Sequence, residues 1–204
     1  MTNILFDRRS ILIAGLGSAA LLSGCASSVK RTTWPDLTFQ HRSPIGLRVS
    51  EILFDDAAAA ATVEAPARDI RYALPVSPVI TMDRWAHERL QPHGGPGRAR
   101  VTLTENRFVE VPLNTTSGVE GVFNIDQSER YEGALAVKVG IEGDPSGIGS
   151  VQARATASRT VPENYSLNQR EETLYEMMAS IVTALDERLE QEIRANLAKW
   201  LLVS

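Results

Sequence analysis

The sequence predicts an α+β fold: a four-stranded, mainly antiparallel sheet in the order β-α-β-β-β-α, packed by a short helix and a long C-terminal helix. Three observations predict it. Period-two alternation of apolar residues marks four segments, the last three of which follow one another with no helix between them. A short, fully punctuated helix separates the first of these segments from the second. An apolar stripe of helical period then runs through the last forty or so residues.

The chain opens on an export signal. Arg8 and Arg9 supply a basic start, Ile11 to Leu22 an apolar run of about a dozen residues, and Ser23-Gly24 a small-residue cleavage region. That run is short of the roughly 20 apolar residues a membrane span needs. It ends in Leu22-Ser23-Gly24-Cys25, and Cys25 is the only cysteine of the chain. These four residues resemble the lipobox of bacterial lipoproteins. The resemblance implies cleavage before Cys25, diacylglycerol on its thiol and an acyl group such as palmitate on its new amino group. Cys25 is thus the expected lipidation site, with no role as a disulfide partner or nucleophile. Asp7-Arg8-Arg9-Ser10-Ile11-Leu12 also resembles a twin-arginine signal, except that the Ser or Thr preferred before the arginine pair is Asp7, so the twin-arginine and Sec routes both stay open. Ala26-Ser27 follow the cysteine with no aspartate next to it, which by the lipoprotein rule implies sorting to the periplasmic face of the outer membrane of a Gram-negative envelope. Acyl chains, at about 0.8 kcal/mol per buried methylene, would hold the protein there stably.

Three segments are therefore expected: a signal over residues 1–24, a lipidated tether over 25–44, and a periplasmic α+β domain over 45–204. Removing the signal takes away two arginines and one aspartate, so a formal charge of -4 becomes -5. A mildly acidic chain is a poor nucleic-acid partner. With no cysteine left for a disulfide, packing alone must hold the domain in an oxidising compartment.

The elements follow in order. Residues 26–44 are polar, with Pro35 and Pro44, and read as the tether, with Trp34 and Phe39 packing back on the domain. In residues 46–54, Leu47, Val49 and Leu53 alternate with polar positions, as in a first strand. Residues 55–68 hold an alanine tract without an apolar face, as in a mobile loop or frayed turn. Residues 77–92 form the short helix: Ser77 is the N-cap, Pro78 the first helical residue, and Pro92 with Gly94-Gly95 the stop. Met82, Trp85, Ala86 and Leu90 share its buried face. Residues 99–113 place Val101, Leu103, Val109, Val111 and Leu113 on one face, with a bulge or exposed end at Glu105 and Arg107. Residues 131–143 turn Leu135, Val137, Val139 and Ile141 inward and Lys138 and Glu142 outward. After a turn at Asp144-Pro145-Ser146-Gly147, residues 150–161 return with Val151, Ala153, Ala155 and Ala157 inward, small enough for a helix to lie close. Ser166 and Gln169 have capping-box spacing, and a single helix of roughly 50 Å continues from them past Trp200. Its stripe from Leu174 to Trp200 exceeds the width of four strands, so its end is expected to overhang the sheet and offer a docking surface.

This order of elements resembles the LPS-assembly lipoprotein of the lipopolysaccharide translocon and the ABC-transport auxiliary lipoproteins of envelope lipid trafficking. The lipobox at Cys25, Arg84-Trp85-Ala86, the tyrosine-led strand from Tyr131, Ser158-Arg159-Thr160 and the helix opening from Arg170 to Met177 carry the resemblance. It departs from the LPS-assembly family in the alanine tract and in the helix running to Trp200. It implies a binding or scaffold accessory in envelope lipid or lipopolysaccharide transport, with the membrane, an envelope protein and a lipid or glycolipid as partners. A lipoprotein cofactor of peptidoglycan synthesis is the alternative.

A hydrolytic enzyme is the last alternative, and catalysis is not expected. His41, His87 and His93 have no zinc-ligand spacing, no nucleophile elbow or phosphate loop is present, and His87 and Glu88 diverge by about 100° on a helix. No cofactor or metal is called for.

Overall fold

The computed structural model of the chain describes residues 33–58, 65–113 and 127–202. The strands are β1 (Ile45–Leu47), β2 (Ile52–Asp56), β3 (Arg68–Asp69), β4 (Leu90–Pro92), β5 (Arg98–Pro112), β6 (Gln127–Glu142) and β7 (Gly149–Pro162), and the helices α1 (Pro78–Arg89) and α2 (Leu167–Asn196). The fold is α+β, as the alternation and the helical stripe predict. The main sheet runs β2-β5-β6-β7, with β5, β6 and β7 antiparallel and β3 added to the far end of β5. β2 lies parallel to β5 because the α1 crossover separates them. β1 and β4 form a second, two-stranded parallel sheet.

Both helices cap as their sequences require. The Ser77 hydroxyl accepts from the Ile80 amide, and Ser166 and Gln169 form a reciprocal capping box. α1 and α2 cover one face of the sheet, burying Val101, Leu103, Leu135, Val137, Val139 and Ala155 beneath Trp85, Met178, Ile181, Leu185 and Leu189. The close approach needs Gly133: a Cβ there would lie 2.6 Å from Ile181 Cδ1 and 2.7 Å from Phe108 Cε1.

Four expectations are corrected. The first strand divides, because the Arg48 amide is taken by Trp200 O at 2.8 Å and the Ser50 amide by Gly97 O at 2.8 Å. Leu47 and Val49 remain core, while Leu53 pairs opposite Arg100 on the other face of the sheet. The loop read over residues 55–68 begins and ends in strand, at Asp56 and Arg68, and its residues 59–64 lie outside the described set. The bulge in β5 falls between Leu103 and Glu105 as expected, but it exchanges the faces beyond it, so Asn106 and Phe108 turn to the core in place of Val109 and Val111.

The fourth correction concerns α2. It stops at Asn196, and a single 3-10 turn (Ala198–Trp200) folds the chain end inward. Trp200 is 6% exposed, its indole N–H donates to Asp144 Oδ2 at 2.7 Å, and its ring fills the space a Cβ on Gly149 would need. Leu202 N donates to Gly46 O at 3.1 Å, and Leu201 bridges Leu47. The expected overhang is absent because α2 runs along the strands rather than across them. Its start lies by Glu129 and Tyr131, Arg188 reaches the carbonyl of Arg154, and Leu197 and Trp200 cover Gly149. A 30-residue helix spans about 45 Å and a 16-residue strand about 53 Å, so the two match.

The segment read as a tether is docked from Trp34 onward. Trp34 stacks on Tyr175 with centroids 4.9 Å apart, Arg84 binds Leu37 O and Asp36, the Phe39 amide donates to Glu88 Oε2 at 2.6 Å, and Phe39 is buried. Behind it sits a charged cluster. Arg89, with no exposed surface, donates from Nε to Asp186 Oδ1 at 2.7 Å and from its other nitrogens to Glu190 and Ser43 O; Trp85 Nε1 and Arg42 also bind Asp186.

Candidate binding face

The helices leave the second face of the sheet uncovered, and its side chains follow from register. Along the middle strand β6, the outward positions are Glu132, Ala134, Ala136, Lys138, Gly140 and Glu142. Ala134 lies between Arg107 and Thr156, Ala136 between Glu105 and Arg154, Lys138 between Thr102 and Gln152, and Gly140 between Arg100 and Ser150. Small residues at the centre and long ones on both flanks make a trough along the sheet.

An ion pair divides the trough in two. Arg154 reaches across Ala136 to Glu105, with Nε–Oε2 2.6 Å and Nη2–Oε1 2.9 Å. This bidentate hydrogen bond holds the Glu105 carboxyl below its ordinary value, against the opposing effect of its partial burial. On one side lies a hollow of about 430 Å³ around Arg100, Lys138, Gly140 and Glu142, rimmed by Ile148, which is 86% exposed. On the other lies a hollow of about 460 Å³ around Arg107, Glu132, Ala134 and Arg154. Each is lined by two cations and one carboxylate, and with Glu105 on the divide the trough holds four cations against three carboxylates, an excess of one positive charge on a chain of net charge -4.

Most of these cations are engaged. Arg100 holds Glu142 at 2.8 Å, lowering that carboxyl through the hydrogen bond between them, and Arg107 and Arg130 share Glu132 at 3.5 and 2.7 Å. Lys138 differs: exposed on the central strand, it has no carboxylate partner among the described residues. The arrangement suits an anion that approaches the sheet face-on, accepts from Lys138 and the Thr102 hydroxyl, and lays an apolar part against Ile148.

Cys25, with the signal and the lipobox, lies outside the described residues. His87 is exposed, its Nδ1 2.9 Å from Asp83 O, while Glu88 is bound to Phe39 and Gln40, so the two are not brought together. His93 packs beside Gly46, where a Cβ would lie 3.2 Å from its Cδ2. Sequence reading identified Lys138 and Glu142 as outward and missed the trough. The signal was the run of small residues, Ala134, Ala136 and Gly140, at outward positions of a strand.

No family model matches the chain, and no curated protein matches it. Among solved structures, rare lipoprotein B from Shewanella oneidensis is similar over 71% of this chain and 94% of its own, at 9% identity and a TM-score of 0.37. A minor lipoprotein from Acinetobacter baumannii is similar over 78% of this chain and 99% of its own, at 12% identity and a TM-score of 0.36. Likenesses of that size do not bear on what this chain binds. No helix among the described residues is long and apolar enough to cross a membrane.

Proposed function

We propose that this chain is a lipoprotein anchored through Cys25 to the periplasmic face of the outer membrane, where it serves as a non-enzymatic accessory in envelope lipid or lipopolysaccharide transport. The observation that carries the reading is the trough: a sheet face that the helices leave uncovered, with a small positive excess and, among the described residues, a lysine without a carboxylate partner beside an exposed isoleucine. An acidic head group on an apolar body is the ligand class that uses both. The lipobox supports the placement, since Trp34 lies nine positions beyond Cys25 and nine extended residue steps reach at most about 32 Å. The docked part of the domain would then stay near the membrane.

Two experiments test this. In a Gram-negative host fed labelled palmitate, the wild type is expected to incorporate label and Cys25→Ala to incorporate none; label retained in the variant would remove the anchor. With the signal-cleaved, unacylated chain, Lys138→Glu is expected to weaken binding of purified lipopolysaccharide about tenfold, the scale of one lost charge-assisted hydrogen bond. Unchanged binding would remove the trough as its site.

A further inference from the structure

We propose that the outer edge of β7 is a strand-addition site for an extended, acidic protein segment, independent of the trough and its ligand. β7 is the last strand of the sheet order and keeps an unbroken register with β6 from Val161↔Glu129 to Gly149↔Ile141. Long edge strands are ordinarily blunted by charged side chains, an internal proline, a bulge or a covering element. In β7 the proline is the last residue and no register shift falls within that stretch, so its edge is guarded by arginine side chains, Arg159 and, from α2, Arg188.

Two carbonyls identify which backbone groups face outward. Arg154 O accepts from Arg188 Nη1, and Ser158 O accepts from Arg159 Nη1 at 2.9 Å. They are four residues apart, so by strand alternation Gln152, Thr156 and Thr160 present their backbone groups to the same side. In antiparallel addition, the amides of an incoming strand would take these carbonyls and displace both guanidinium groups. Arg159 and Arg188 would then need anions. Neither has a carboxylate partner among the described residues, and β7 itself contains no Asp or Glu. The occupant is therefore a strand with carboxylates on the helix side at two positions four residues apart, spanning about 13 Å. A second copy of β7 would instead set arginines against arginines.

The test uses the full signal-cleaved chain and amide hydrogen exchange read residue by residue. The probe is a seven-residue acetylated peptide of threonine and valine with glutamate at its second and sixth positions; the control carries lysine there. The glutamate peptide is expected to slow exchange at Gln152, Thr156 and Thr160 at least tenfold, and the lysine peptide to leave it unchanged. Thr156→Pro, which removes an outward amide, should abolish the effect. Because that variant could also disturb the strand, the surface variant Arg159→Gln/Arg188→Gln is tested beside it and should weaken the glutamate peptide about tenfold with an unchanged melting temperature. The proposal is overturned if the glutamate peptide protects nothing, if the lysine peptide protects equally, or if the same amides become protected with rising protein concentration alone.

Discussion

Replacing Asp186 with alanine is expected to lower the melting temperature of the signal-cleaved chain by about 10 °C or more. The carboxylate is 4% exposed and accepts from Trp85 Nε1 at 2.9 Å and Arg89 Nε at 2.7 Å, while Arg42 Nε lies 3.1 Å from its other oxygen. Its removal leaves the fully buried Arg89 guanidinium with Glu190 as its one carboxylate among the described residues and strands the indole N–H. Breaking a buried ion pair from one side costs about 3–5 kcal/mol, against a whole stability of about 5–15 kcal/mol. For a chain of this size each kcal/mol moves the midpoint by about 2–4 °C. Asp186→Asn keeps an acceptor without the charge and should fall between the two. A thermal melt followed by circular dichroism measures all three; an unshifted Asp186→Ala would mean the cluster does not join α1, α2 and the segment after Trp34.

Trp200→Ala is expected to be nearly as damaging, at about 3–5 kcal/mol for a large buried aromatic. From sequence, Trp200 was the expected end of a docking surface and Ile181 the core position. The structure makes both core: Trp200 closes the end of the β6–β7 hairpin through Asp144 and Gly149, and the chain beside it pairs with β1. Urea midpoints for Trp200→Ala and Ile181→Ala should therefore drop by similar amounts. A Trp200→Ala midpoint equal to the wild type would show that the chain end is peripheral.

Sequence made the elements legible where one segment's own periodicity decides them. The stripe from Leu174 to Ile193, the caps at Ser77 and Ser166 and the interruption at Glu105 all have local causes. The rest depends on partners far along the chain. Leu47, Val49 and Leu53 keep their alternation through a break set by Trp200 and Gly97, so spacing cannot distinguish one strand from two. Leu197 and Trp200 keep helical spacing through a 3-10 turn, which hides the end of α2. Arg89 and Asp186 are 97 positions apart, and on a helix map an aspartate beside an apolar stripe looks like any solvated one. The trough exists because three outward rows align: Ala136 is unremarkable until register places Glu105 and Arg154 on either side of it.

On this reading the lipidated chain presents the sheet face opposite its helices to an acidic lipid or glycolipid. Photo-crosslinking in cells tests it most directly, with a benzophenone amino acid at Gln152, beside Lys138 in the trough, or at Glu187, exposed on α2 on the opposite side of the sheet. Lipid or lipopolysaccharide adducts are expected from position 152, lost on Lys138→Glu, and none from position 187. Adducts from position 187 with none from position 152 would contradict it and move the binding surface to the helix layer.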